Sequence, residues 1–229
     1  MRTLQIRAWL FPALALAAFA GTAIAQDRSP ALLSSLEVQQ LVQRGEPDDN
    51  ARLAAHFTAL GDRYTAEAAQ HARMASAYTG NAGRSLGTGM SVHCKQLADL
   101  NTQSATEVRA LATYHQKLAS GAAAAQPAAG ARFEGGAGAP APTREDLNAL
   151  AARASTPADH RSLEEYFLTV AKRYTREAID YSTTASTFRG TKMASAAVHG
   201  DSLARLSKDS ASEAAKAAAM HGQLAGVAR

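Results

Sequence analysis

Two stretches of the chain, Pro47 to Tyr78 and Pro157 to Phe188, carry the same pattern of apolar residues. Apolar residues recur at alternating steps of four and three along each stretch. This spacing places their side chains on one face of a helix that packs against other helices. We call this face the seam. It comprises Leu53, Phe57, Leu60, Tyr64, Glu67, His71, Met74 and Tyr78 in the first copy, and Leu163, Phe167, Val170, Tyr174, Glu177, Tyr181, Thr184 and Phe188 in the second. Each helix would be about 50 Å long and needs packing partners along its length.

The chain is internally duplicated. Residues 47–80 and 157–190 share 12 identities in 34 positions, and residues 90–119 and 196–225 share 12 in 30. The second pair of segments predicts another long helix after each seam helix, following a glycine-containing turn. Two antiparallel hairpins result, and each buries its apolar face best against the other. We therefore predict an all-α fold in which two long antiparallel helical hairpins form one four-helix bundle.

Short extra helices and a linker complete the predicted organisation. The first hairpin repeat spans residues 34–119 and starts with a short amphipathic helix, 34–44, that ends at Gly45. Residues 120–142 are rich in Ala, Gly and Pro, a composition typical of a flexible linker. The second repeat spans residues 143–229 and also starts with a short helix. Thr156 stands where an N-cap is expected, directly before Pro157 at the first helical position.

Residues 1–25 have the composition of an export signal. Arg2 and Arg7 precede an apolar run from residue 8 to residue 20, and the triplet 23–25 reads Ala-Ile-Ala. Such a segment is cleaved after a small-residue site, so the mature chain is expected to begin at Gln26 in a bacterial periplasm or outside the cell. The apolar run is too short for a membrane anchor, and we expect no transmembrane segment after cleavage.

Charge and cysteine content exclude several classes of protein. The signal carries two of the 24 basic residues, which leaves 22 against 20 acidic residues in the mature chain, without a basic block. We therefore expect no nucleic-acid binding. Cys94 is the only cysteine, so no intramolecular disulfide framework is expected.

Glutamates occupy the seams of all four long helices, at Glu67, Glu107, Glu177 and Glu213. One inward carboxylate per helix is also found in di-metal carboxylate proteins, but those add Glu-x-x-His pairs, which this chain lacks. In an antiparallel hairpin that turns near residue 84, Arg63 lies level with Glu107. The equivalent residues of the second hairpin are Arg173 and Glu213. We predict that Arg63–Glu107 and Arg173–Glu213 are structural ion pairs that fix the register.

The tip of the first hairpin offers an alternative, metal-binding hypothesis. His71 and Met74 near the end of one helix lie level with Met90, His93 and Cys94 at the start of the next. Imidazole, thioether and thiolate suit copper(I), or zinc if the methionines do not bind. Core packing is the competing interpretation, because methionine and buried cysteine both fill apolar interiors.

The remaining histidines and motifs indicate no catalysis. His115 and His221 lie near the ends of their helices, where an imidazolium favours the helix dipole, and His56 and His160 are predicted to be polar surface. The G-x-S-x-G letters at residues 83–87 lack the preceding strand that a nucleophile elbow requires. There is no P-loop, dinucleotide fingerprint or haem attachment motif. We predict a non-catalytic binding or interaction protein of the bacterial cell envelope, with an envelope protein or a small ligand as its partner and its function on the outer helix faces or the glycine-rich tip.

Overall fold

The computed structural model describes residues 32–80, 87–121 and 144–227. The predicted export signal, the G-x-S-x-G turn up to residue 86 and nearly all of the linker lie outside these residues. Within them all regular secondary structure is helical, and no strand occurs. Its six α-helices are α1 (Ser35–Arg44), α2 (Pro47–Gly80), α3 (Gly87–Ser120), α4 (Arg144–Arg153), α5 (Pro157–Arg189) and α6 (Ala197–Val227). The predicted all-α class is confirmed.

Local chemistry fixes the helix ends. Ser34 caps α1, because its hydroxyl accepts the Glu37 amide proton at 3.3 Å while the Glu37 carboxylate accepts the Ser34 amide proton at 2.8 Å. Gly45 ends that helix with φ +65°, a left-handed conformation that glycine adopts without a steric penalty. Thr156 caps α5 in the predicted way, with Pro157 in the first turn and Asp159 as its reciprocal partner.

Helix α6 is preceded by a single 3-10 turn, Ala194–Ala196, and its first α-helical residue is Ala197. The Thr191 hydroxyl donates to the Phe188 carbonyl and accepts the Met193 amide proton. The Thr191 side chain thus binds one backbone carbonyl and one backbone amide of the turn between α5 and α6.

The long helices pack in antiparallel pairs. Helix α2 packs against α3 and α5 against α6. The α2–α3 pair is antiparallel, because Thr79 contacts Ser91 at the turn end while Asn50 contacts His115 at the far end. Helix α3 also packs against α6, whose buried residues are mostly small: Ser207, Ser210, Ala214, Ala217 and Ala218. Small side chains allow helix backbones to approach closely.

Helices α2 and α5 meet mainly through long side chains. Their backbones approach far less than those of the pairs above, while α1 and α4 each contact both of them. The seam residues Tyr64, Tyr174, Phe57 and Phe167 are almost completely buried. One apolar cluster draws members from α1, α2, α3, α5 and α6, and from Ala151 of α4. The space between α2 and α5 therefore has room for the polar groups described next.

No helix among the described residues has both the length and the apolar character needed to cross a bilayer.

Candidate functional site

Two arginines and two glutamates form a closed network between α2 and α5. The Arg63 Nη2 atom lies 2.7 Å from Glu177 Oε1. Arg173 binds both carboxylate oxygens of Glu67, each at 2.7 Å. The Nε atom of each arginine also lies 3.6 Å from the glutamate four residues ahead on its own helix. Each carboxylate thus faces two guanidinium groups, and the four charges compensate one another.

Tyrosines enclose the network. The guanidinium of Arg63 lies 4.8 Å from the ring centre of Tyr64, and that of Arg173 lies 4.7 Å from the ring centre of Tyr174. The Tyr64 hydroxyl donates to Glu177 at 2.8 Å, and the Tyr174 hydroxyl lies within hydrogen-bond distance of Glu67 at 2.9 Å. Both guanidiniums and both glutamates are therefore held in fixed orientations.

Charge and burial keep the two arginines and the two enclosing tyrosines protonated at neutral pH. Burial by itself would lower the pKa of Arg63, but the adjacent carboxylates, above all that of Glu177, raise it above its usual value. For Arg173 the carboxylate of Glu67 likewise outweighs burial, so its pKa is also raised. Burial raises the pKa of both Tyr64 and Tyr174 well above the usual range. These groups hold their protons at neutral pH and do not act as acids or bases there.

The predicted partners of the ion pairs are wrong. Arg63 pairs with Glu177 rather than Glu107, and Arg173 pairs with Glu67 rather than Glu213. The two remaining glutamates face histidines across the α3–α6 interface: Glu107 lies 2.7 Å from His199, and Glu213 lies 2.8 Å from His93. The level of two residues in a hairpin does not determine which way their side chains point. All four of these charged contacts join residues from different hairpins.

One residue of the metal hypothesis, His93, contacts a different partner in this structure. His71, Met74, Met90 and Cys94 are buried in the helical core, whereas the His93 ring is directed at Glu213 on α6. Consecutive side chains diverge by about 100° around a helix, which separates His93 from Cys94. Burial raises the pKa of Cys94 to about 12. Within the described ranges, no three His, Cys, Asp or Glu residues are arranged to hold a metal ion.

The histidines near the helix ends are core residues, not caps. His115 Nδ1 lies 2.8 Å from Asn50 Oδ1, and its ring stacks on Phe57 with ring centres 5.6 Å apart. Burial lowers the pKa of His115 to about 4. The ring is therefore neutral at pH 7, and the predicted interaction of an imidazolium with the helix dipole does not occur.

A matching arrangement surrounds His221. Its ring stacks on Phe167 with ring centres 5.8 Å apart, its Nδ1 lies 3.1 Å from His160 Nδ1, and its Nε2 lies 2.9 Å from the Tyr78 hydroxyl. His160 is buried, so its predicted surface position is wrong. The repeat alignment pairs the two histidines and the two phenylalanines, and could have indicated both sites.

One outer face of the α5–α6 pair is a shallow groove. It is lined by Ala178, Ile179, Ser182 and Thr183 of α5 and by Ala204, Arg205 and Lys208 of α6. Ile179 is 63% exposed, although isoleucine is usually buried. The groove therefore combines an apolar floor with a cationic edge, which the seam pattern did not indicate because it marks only inward positions.

No protein-family model, curated protein or solved structure matches this chain.

Proposed function

We propose that the protein is an exported, non-catalytic helical-bundle module that binds a partner in the bacterial cell envelope. The observation that carries the proposal is the contrast between interior and surface. The half-buried charges between α2 and α5 compensate one another, while the α5–α6 groove exposes Ile179 beside Arg205 and Lys208. An interior of this kind stabilises a scaffold, and an exposed apolar patch with a polar edge suits binding.

The proposed architecture is one internally duplicated four-helix bundle built from the α2–α3 and α5–α6 hairpins. Matched contacts support the duplication, because Arg63–Glu177 and Arg173–Glu67 are equivalent under the repeat alignment. The two histidine–glutamate contacts between α3 and α6 form a second matched set. Four contacts that join the hairpins favour a single bundle over two separate hairpins.

Export is proposed from residues 1–25, which precede the described part of the chain. Expression of the full chain in a bacterium, followed by cell fractionation and N-terminal sequencing, tests it. We expect a periplasmic or secreted product that starts at Gln26. A variant with Asp at positions 23 and 25 should retain its leader, because a charged side chain blocks the small-residue cleavage site. A cytoplasmic product with an intact N-terminus in the unaltered chain would refute export.

Photo-crosslinking from the groove tests the binding proposal. A photoreactive residue replaces Ile179 in the full chain, expressed in the native host. Ala69 is the control site, because it is also exposed and is the residue that aligns with Ile179 in the first repeat. We expect a discrete crosslinked species of fixed mass from position 179 and none from position 69. Equal products from both sites, or none from either, would contradict the proposal.

The alternative proposal is a copper or zinc protein that uses His71, Met74, Met90, His93 and Cys94. It requires His93 to leave Glu213 and the buried Cys94 thiol to lose its proton. Elemental analysis after loading with copper(I) under reducing conditions, compared with a His93→Ala/Cys94→Ser variant, separates the two proposals. Near-stoichiometric metal that is lost in the variant would favour the alternative. Equal and low metal content in both proteins would leave these residues as core packing.

A further inference from the structure

A small cavity lies where α1 and the residues before it cross α2 and α5. Its volume is about 130 Å³, and it is partly open to solvent. The apolar wall consists of Leu32, Leu33, Val38, Phe57 and Leu60. The polar wall includes His56, Arg63, Glu177, Asp180 and Thr184. The cavity is separate from the α5–α6 groove, which shares none of these residues.

His56 lines this cavity and carries a hydrogen-bond donor. The residue as a whole is 91% buried, and its Nδ1 accepts the Leu33 amide proton at 3.0 Å. Burial lowers the pKa of His56 to about 4, so the ring is neutral at pH 7. A neutral imidazole that accepts at Nδ1 carries its proton on Nε2. Among the described residues Nε2 has no hydrogen-bond partner, and it is not one of the fully buried polar atoms, so it keeps some exposure beside the cavity that His56 lines.

The charges around the cavity decide which ligand fits. Arg63 is already paired with Glu177, whose second oxygen accepts the Tyr64 hydroxyl proton. Asp180 adds a further carboxylate to the wall. An anion would therefore meet two carboxylates, and Arg63, the cation among the described lining residues, is already compensated. An uncharged oxygen acceptor can receive the His56 proton without this repulsion.

We propose that this cavity binds a small, uncharged ligand with an apolar body and a hydrogen-bond-accepting oxygen, such as a ketone, an alcohol or an amide. The oxygen accepts the Nε2 proton of His56, and the apolar body lies against the leucine, valine and phenylalanine wall. An engineered cavity of about 150 Å³ holds benzene, so the volume suits a ligand of about six non-hydrogen atoms.

Cyclopentanone is a suitable probe, since it has six non-hydrogen atoms and one carbonyl. Titration into the full mature chain, followed by ¹H–¹⁵N NMR, should shift the Leu33 amide, which donates to His56, and the Nε2 resonance of His56. The Nε2 shift reports the hydrogen bond itself. Cyclopentanecarboxylate, the anionic comparison, should bind at least about tenfold more weakly, which corresponds to about 1.4 kcal/mol.

Two threonine variants locate the binding site. Thr184 lines the cavity, whereas its neighbour Thr183 lies on the exposed face, and both hydroxyls donate to the backbone carbonyl four residues earlier. Thr184→Leu fills the cavity and should abolish the shifts. Thr183→Leu makes the same chemical change outside the cavity and should leave them intact. Thr183 borders the α5–α6 groove, so groove binding would give the opposite result.

His56→Asn tests the proposed donor. The asparagine amide oxygen can replace Nδ1 as acceptor for Leu33, but no donor remains at the position of Nε2. Affinity for cyclopentanone should fall by about tenfold, as expected for the loss of one hydrogen bond. The proposal is overturned if cyclopentanone causes no shift, if Thr184→Leu binds as the unaltered chain does, if His56→Asn keeps full affinity, or if the carboxylate binds as tightly as the ketone.

Discussion

Replacing Phe188 with Tyr should stabilise the protein. The imidazole of His115 is buried, and its Nε2 has no hydrogen-bond partner in the part of the chain that the structure describes. The Asn50 side-chain amide nitrogen donates to the carbonyls of Gly45 and Glu46, which identifies Oδ1 as the atom that faces His115 Nδ1. Nδ1 therefore carries the proton, and Nε2 is an unpaired acceptor.

His221, the equivalent histidine of the second repeat, has the hydrogen-bond partner that His115 Nε2 lacks. His221 Nε2 is bonded to the Tyr78 hydroxyl, and the repeat alignment pairs Tyr78 with Phe188. The geometry also matches, because the ring centres of Tyr78 and His221 are 5.8 Å apart and those of Phe188 and His115 are 5.7 Å apart. A tyrosine at position 188 would place its hydroxyl near the unpaired nitrogen.

The expected gain follows from the energetics of a single neutral hydrogen bond, about 1 kcal/mol net. Urea unfolding of the chain from Gln26 at pH 7 measures it as a higher midpoint with an unchanged slope. Thermal unfolding should shift upward by about 2–4 °C for a protein of this size. The reverse change, Tyr78→Phe, leaves His221 Nε2 without a partner and should cost about 1–3 kcal/mol.

Two results would refute this reasoning. A loss of stability in Phe188→Tyr would mean that the core has no room for the hydroxyl oxygen, since overpacking costs about 1–3 kcal/mol. An equal gain in a His115→Phe background would mean that the stabilisation does not come from the imidazole.

Three further predictions concern pH and glycine. Because burial holds the pKa of His115 at about 4, against about 6.5 when unfolded, the unfolded state binds the extra proton between these values. The free energy of unfolding should therefore fall as pH drops from about 6.5 to 4. Urea unfolding measures this dependence, and His115→Gln should reduce its slope by up to about 1.4 kcal/mol per pH unit. Gly200→Ala should destabilise the protein by about 1–3 kcal/mol in the same assay, since the new Cβ would lie 2.9 Å from the Ala185 Cβ. Gly226→Ala is the control, because its Cβ would meet open space and should not lower stability. Gly45→Ala should lower the melting temperature through a strain of about 1 kcal/mol at φ +65°, and an unchanged value would contradict that origin.

The sequence predicted the helices more accurately than the contacts between them. Periodicity placed α2 and α5 to within two residues, because inward apolar spacing is a local property of each helix. The partners of Arg63 and Arg173 were wrong, because residues that are level in a hairpin need not face each other. Only the relative placement of the hairpins shows that these arginines reach across to Glu177 and Glu67.

The buried histidines were missed for a related reason. A single histidine is usually predicted to lie at the polar surface, and His56 lies off the seam of its own helix. Its burial depends on the residues before α1, where the Leu33 amide donates to its ring. A non-local cover of this kind leaves no periodic signal in the helix that carries the residue.

A double-mutant cycle tests most directly whether the polar interior joins the two hairpins. Arg63→Met and Glu177→Gln are made singly and together. A second cycle combines Arg63→Met with Glu107→Gln, because Glu107 lies level with Arg63 within its own hairpin. Urea unfolding should give a coupling energy of about 1–3 kcal/mol for the first pair and close to zero for the second. Coupling to Glu107 without coupling to Glu177 would contradict the proposed bundle and the scaffold role of its charged core.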